Sequence, residues 1–205
     1  MKLVILAGGY GTRINDENSL IPKPLIAIGY KPIIWHIMKM YSYYGIKEFI
    51  ICCGYKGNMI KDYFINYGYL NSDLEVNLSE NSVKILNNQK EDWKITLVDT
   101  GIETLTGGRI KKIYKYIKDD KFFCLTYGDG LSDINIKKLI QHHVKKKKLA
   151  TITAVSIPGR FGDLEIDHND TVKNFSEKRN SKVVKDRING GFMVIDPTVL
   201  QLIKN

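Results

Sequence analysis

The stretch VILAGGYGTRI, residues 4–14, sets the reading of the whole chain. An apolar run, Lys2 to Ala7, has the length and composition of a buried strand and is closed by glycine. Gly8, Gly9 and Gly11 then fall within four residues, a density that weakens any strand or helix containing them. Thr12 and Arg13 follow at once. A glycine turn straight after a strand can lay backbone N–H groups on phosphate oxygens, because no Cβ blocks the approach. Arg13 adds a forked, permanently charged donor suited to a polyphosphate. The plain alternative is a tight turn with a surface arginine. Two common phosphate motifs do not fit. The dinucleotide fingerprint needs a third glycine where Ile14 stands, and no GxxxxGK lysine pattern is present.

Two further stretches share this chemistry. In IPKPL, residues 21–25, Pro22 and Pro24 stiffen the backbone on either side of Lys23, which presents one ammonium. In TYGDG, residues 126–130, Asp129 lies between glycines just after an apolar strand. In open α/β sheets ligands bind outside the carboxyl ends of the strands, so this loop and the first one are expected at one edge. A carboxylate facing phosphates is repulsive unless a cation lies between. The economical reading is that Asp129 holds Mg²⁺, a hard ion suited to carboxylate and phosphate oxygens.

The rest of the chain alternates strands and helices, which argues for an α/β fold with a largely parallel sheet. Helices are expected over Pro32 to Tyr44, from an Asn58 cap to about Asn66, over Gly108 to Ile117, from an Asp133 cap through His143, and from Pro197. Strands are expected at Phe49 to Cys53, NSVKILNN, WKITLVD, Phe122 to Thr126, ATITAV and Gly190 to Ile195, with a hairpin from DLEID and TVKNF. One domain spans 1–205, with two-stranded excursions from the main sheet. Cys52, Cys53 and Cys124 sit in strand-like apolar settings and read as core thiols; three cysteines give no disulfide framework.

The formal net charge of +9 suits an anionic partner. Lys145 to Lys148 end an expected helix, where cations complement the macrodipole. No apolar run approaches the ~20 residues that span a bilayer, and the short apolar start is not a signal peptide. A soluble, cytoplasmic protein is expected. The four histidines form no metal-spaced motif, and no nucleophile–histidine arrangement is evident. No recognised nucleic-acid module is present.

LAGGYGTRI followed by PKPL resembles the signature of the sugar-phosphate nucleotidylyltransferases. KPIIWHIMKMYSYYGIKEFIICCGYKG, WKITLVDTG, TGGRIKKI, TYGDG, GRFGDLEID and INGGFMVI resemble its glucose-1-phosphate cytidylyltransferase branch. The resemblance covers the whole chain. It implies a Rossmann-like nucleotidyltransferase fold, a mixed but mostly parallel sheet flanked by helices. It implies the reaction of CTP with α-D-glucose 1-phosphate to give CDP-glucose and pyrophosphate. That product feeds deoxysugars of surface polysaccharides such as the lipopolysaccharide O-antigen.

By position, the resemblance implies that Leu6, Ala7, Gly8, Gly9, Tyr10, Gly11, Thr12 and Arg13 wrap the nucleotide and its triphosphate. Lys23 holds phosphate oxygens. Thr104 and Arg109 lie near the nucleotide, Gly128 contacts it, and Asp129 ligates Mg²⁺. Glu177 and Lys178 match a pair near the sugar phosphate, and Asn189 and Gly190 a strand start lining the sugar pocket. Arg13, Lys23 and Asp129 carry the catalysis. The expected partners are CTP and glucose 1-phosphate, with a homo-oligomer and neither nucleic acid nor membrane. Ile21 stands where the family has a basic residue, and Arg179 where it has proline. The family continues past Asn205 with a second metal-binding aspartate, so the chain is expected to lack a C-terminal segment. Related readings are a nucleotidylyltransferase using UTP, dTTP or another sugar, and a non-catalytic nucleotide-binding homologue.

Overall fold

The computed structural model describes residues 1–10, 20–88, 90–156, 163–176 and 187–203. Its elements, in chain order, are β1 (Lys2–Ala7), β2 (Ala27–Ile28), β3 (Lys31–Pro32), α1 (Ile33–Tyr43), β4 (Glu48–Cys53), α2 (Gly57–Ile65), α3 (Tyr67–Leu70), β5 (Ser72–Asn77), β6 (Ser82–Asn88), β7 (Lys94–Asp99), α4 (Thr106–Lys112), α5 (Tyr114–Ile117), β8 (Phe123–Tyr127), α6 (Ile136–Lys146), β9 (Ala150–Val155), β10 (Asp163–Ile166), β11 (Val172–Ser176) and β12 (Ile188–Ile195). Short 3-10 helices cover Lys23–Leu25 and Pro197–Leu202. The chain divides into a larger unit, Met1–Thr151 with Gly191–Asn205, and a smaller one, Ile152–Gly190.

The main sheet has six strands in the order β7-β4-β1-β8-β12-β9. β7, β4, β1 and β8 run parallel, and β12 pairs antiparallel to β8. This is the largely parallel sheet that the alternation of elements predicts, mixed as the family resemblance implies. Alternation along β1 shows why both faces need helices. Leu3, Ile5 and Ala7 pack into one core with Ile34, Ile37, Met38 and Tyr41 of α1, Ile60 of α2 and Ile136 of α6. Val4 packs on the opposite face with Ile110 of α4, Ile113 at the junction of α4 and α5, Ile117 of α5 and Leu200 of the last 3-10 helix. Cys52, Cys53 and Cys124 are free and buried in β4 and β8, as expected. Burial pushes their thiols up to about 12, about 11 and about 12 respectively.

Several local expectations are corrected. Asn58 does not cap α2; the helix opens two residues earlier than that cap implies, at Gly57, after Lys56 in a left-handed conformation. Gly57 starts it because a Cβ there would lie 2.8 Å from that of Cys53. Asn135, not Asp133, caps α6, accepting a hydrogen bond from the Lys138 N–H at 2.9 Å. The helix expected over Gly108 to Ile117 starts at Thr106 and breaks at Ile113 into α4 and α5. The terminal helix from Pro197 is a 3-10 turn, capped by Asp196. β5 has no counterpart among the expected strands; it pairs antiparallel with β6 in a separate ribbon. The smaller unit holds the hairpin expected from DLEID and TVKNF, as β10 and β11. Among the described residues no helix is long and apolar enough to cross a membrane.

Candidate active site

The carboxyl ends of β7, β1 and β8 open on one pocket of about 360 Å³. Its wall carries Leu6 to Tyr10 from β1 and the loop after it, Lys23 and Pro24, the Ile102 to Thr106 loop, Arg109, and Tyr127 to Asp129. The backbone sets this arrangement. The Gly128 N–H donates to the Leu6 carbonyl at 2.9 Å, holding the TYGDG loop beside the end of β1. A Cβ on Gly128 would lie 3.1 Å from Pro24 Cγ and 3.2 Å from the Leu6 carbonyl oxygen. The missing side chain is therefore what lets the Lys23–Leu25 turn pack against both strands.

Lys23 and Asp129 stand on the same wall. Lys23 is half-buried at the start of its 3-10 turn, whose stiffness comes from the flanking prolines. The two form no salt bridge with each other. Among the described residues no group of three or more His, Cys, Asp or Glu side chains is placed to hold a metal. Asp129 is exposed in the pocket wall. A single carboxylate such as Asp129 would suit Mg²⁺ if phosphate oxygens lay beside it, since that ion keeps waters and takes substrate phosphate oxygens.

Arg109 is 5% exposed, and its guanidinium points into the protein. Nη1 donates to the Thr100 hydroxyl and the Gly101 carbonyl, both at 2.7 Å, and to the Cys53 carbonyl at 3.3 Å. Nη2 donates to the carbonyls of Gly8 at 2.9 Å and Ile102 at 3.0 Å. One side chain thus ties together the loops that leave β1, β4 and β7. Two glycines make room for it: a Cβ on Gly8 would lie 2.1 Å from Nη1, and one on Gly54 2.4 Å. Part of the glycine-rich opening therefore serves an arginine a hundred residues away. Gly9, by contrast, has open space around it.

Across the mouth, the Tyr10 hydroxyl donates to Glu103, and the Tyr10 ring lies 5.2 Å from that of Tyr55. The hydrogen bond to Glu103 raises the Tyr10 pKa, with desolvation adding to it, so the phenol stays protonated. Thr104 Oγ1 accepts from Lys112 Nζ at 3.1 Å.

The structure therefore brings Leu6 to Tyr10, Lys23, Thr104, Arg109, Gly128 and Asp129 to one pocket. Gly11, Thr12, Arg13, Glu177 and Lys178 lie outside the described residues. Asn189 and Gly190 belong to β12 in the smaller unit, where a Cβ on Gly190 would lie 2.9 Å from Val155 Cγ1. Sequence reasoning missed Glu103, Leu105, Thr106 and Tyr127. Only the nearness of Thr104 and Gly128 could have pointed to them.

A profile of the family described as Nucleotidyl transferase matches residues 2–205. The chain belongs to the nucleotidyl transferase family. Within it, the resemblance to the glucose-1-phosphate cytidylyltransferases holds. This nucleotidyl transferase is 51% identical to the glucose-1-phosphate cytidylyltransferase of Salmonella typhi over 205 residues, all of this chain and 79% of that protein. It is 48% identical to a probable glucose-1-phosphate cytidylyltransferase of Bacillus subtilis over 97% of this chain and 76% of that one. Among solved structures it resembles HddC from Yersinia pseudotuberculosis, with a TM-score of 0.66 and 26% identity, covering 100% of this chain and 80% of that chain. HddC has also been solved complexed with GMP-PN. The Rossmann-like nucleotidyltransferase fold expected from the sequence is the fold observed.

Proposed function

We propose that the chain transfers a cytidylyl group from CTP to α-D-glucose 1-phosphate, giving CDP-glucose and pyrophosphate. One observation carries the reading. Gly8 and Gly9, the lysine between prolines and the glycine-flanked aspartate are separated in sequence, yet they line one pocket at the carboxyl edge of parallel strands. The choice of CTP and glucose 1-phosphate is supported by the relatives at 48–51% identity.

A phosphate oxygen of the sugar phosphate attacks the α-phosphorus of CTP in line, and pyrophosphate leaves. The nucleophile is already an anion, so the chain need supply no general base. Its work is positioning and charge neutralisation. Lys23 offsets charge on the triphosphate. The glycine turn offers backbone N–H groups, and Arg109 holds the loops that form the wall. Asp129 would hold Mg²⁺, which when bound neutralises charge on triphosphate oxygens. Arg13 would add a second cation and Glu177 with Lys178 would meet the sugar phosphate, a carry-over from the family by position. Asn189 and Gly190 would line the sugar side in the same way. The product would feed deoxysugars of surface polysaccharides, made by a cytoplasmic homo-oligomer.

The test is incubation of the full-length protein with each nucleoside triphosphate and several sugar 1-phosphates, measuring pyrophosphate release. Turnover fastest with CTP and glucose 1-phosphate is expected. Equal rates with UTP or dTTP would remove the cytidine assignment.

A further inference from the structure

We propose that Glu103, held by Tyr10, selects cytosine over uracil and thymine by accepting a hydrogen bond from the exocyclic amino group of the base. This rests on the nucleotidyl-transfer reading above and names the residue that sets its base preference.

The pocket has two chemically different ends. Lys23 and Asp129 stand beside the end of β8, and the phosphates belong with them. The Ile102 to Leu105 loop leaves β7, three strand spacings away in the order β7-β4-β1-β8. At about 4.8 Å per spacing that is roughly 14 Å, room for a nucleotide to lie across the strand ends with its base at the β7 loop. That loop exposes two aliphatic side chains, Ile102 and Leu105, at 52% and 83%, a surface suited to a flat heterocycle. Between them in sequence, Glu103 lines the same pocket and is the carboxylate of that end.

Glu103 is not left to wander. Tyr10, from the loop after β1, donates to its Oε1, and Tyr10 is itself braced on Tyr55. A carboxylate has two oxygens and several acceptor sites, so one hydrogen bond from Tyr10 leaves it capacity to accept another. Glu103 thus presents fixed acceptor capacity without its own donor. Next to it, Thr104 Oγ1 already accepts from Lys112, which leaves the hydroxyl hydrogen to donate.

An acceptor beside a donor matches one pyrimidine edge. Cytosine offers a donor at N4 and an acceptor at N3. Uracil and thymine offer the reverse, a carbonyl oxygen at position 4 and an N–H at position 3. A threonine hydroxyl can turn to suit either, so Thr104 alone discriminates little. An ionised carboxylate cannot donate, and against a carbonyl it is repulsive. A carboxylate accepting from the cytosine amino group is an established pairing in base recognition. Adenine has the same donor–acceptor edge as cytosine, so Glu103 separates pyrimidines, and purines must be refused by size.

The experiment measures kcat/KM for CTP, UTP and dTTP, with glucose 1-phosphate, in the full-length protein and in Glu103→Gln and Glu103→Ala. Titration of CTP and UTP binding without sugar provides a second readout. Glu103 is on the surface, and circular dichroism checks that both variants fold. A glutamine amide can donate to the uracil carbonyl. Glu103→Gln is therefore expected to lower the CTP-to-UTP ratio about ten- to a hundredfold, the range of one good base contact, partly by a gain with UTP. Glu103→Ala should lower the ratio by loss with CTP alone. Tyr10→Phe, which frees the carboxylate but keeps its charge, should give a smaller fall. A wild-type protein that prefers CTP, with variants that keep the same ratio, overturns this inference and leaves the function standing. A wild-type protein that prefers UTP or dTTP overturns both.

Discussion

Replacing Arg109 with methionine removes the guanidinium while keeping an unbranched, apolar stem in the same space. The cost follows from what the five acceptors are left with. The Gly8 carbonyl still receives the Tyr55 N–H at 3.2 Å, and the Cys53 carbonyl still receives the Thr100 N–H and hydroxyl at 2.9 and 2.6 Å. The Gly101 and Ile102 carbonyls are part-buried and take their hydrogen bonds from Arg109. An unsatisfied buried acceptor costs about 1–3 kcal/mol, and partial access to water favours the lower half of that range. Two such groups give about 3 kcal/mol. For a domain of this size that lowers Tm by about 6–12 °C. Differential scanning calorimetry of Arg109→Met against wild type measures it. Gly8→Ala supplies an internal control: its Cβ would lie 2.1 Å from Nη1, so it should destabilise the wild type but cost little once Arg109 is methionine. A Tm within about 2 °C of wild type for Arg109→Met, or additive effects in the double variant, would refute the reasoning.

Three other outcomes are expected. Asp129→Asn should keep Tm and lose Mg²⁺-dependent pyrophosphate release by about a hundredfold or more, because the isosteric amide lacks the charge that pairs with the ion. Activity unchanged across a Mg²⁺ titration would make Asp129 a turn residue. Lys23→Gln should weaken CTP binding and lower kcat while leaving CMP binding less affected, as titration calorimetry with both nucleotides would show. The buried thiols should make stability fall on the alkaline side. Their folded pKa values, at about 11 to 12, exceed the unfolded value, so the unfolded chain loses protons first. Stability is then complete below about pH 8.5 and declines as pH rises towards 12, and Tm measured in cysteine-to-alanine variants should decline less steeply.

Most of the strands and the gathering of Gly8, Gly9, Lys23 and Asp129 at one pocket are legible because their signals are local. VILA and FFCLT are apolar runs, and glycine and proline at GGYG, PKP and YGDG mark places where backbone must come close or stay stiff. What stayed hidden depends on partners that carry no residue identity. Arg109 binds mostly main-chain carbonyls, which any sequence would offer, so its role as a tie between loops has no motif. Glu103 acquires meaning only from Tyr10, ninety-three positions away. The break at Ile113 has no glycine or proline to announce it; both Ile113 and Ile117 are fully buried, and packing on the sheet decides where the helix turns. Residue type alone marks Asn58 and Asp133 as caps, but the turns that begin those helices are set by Gly57 and Asn135.

The same arginine imposes an order in time. The Gly8 carbonyl takes one donor from Tyr55 and its second, from Arg109, only 101 positions downstream. At the ribosome's pace of about 5–20 residues per second, the first loop of the site emerges roughly 5–20 s before the side chain that fixes it. Through that interval Gly8 and Gly9 lack the arginine tie that joins them to the loops after β4 and β7. The pocket is therefore completed late, from parts synthesised early. Chains stalled short of Arg109 should be cut by protease near Gly8 and Gly9, and chains stalled well beyond Asp129 should resist.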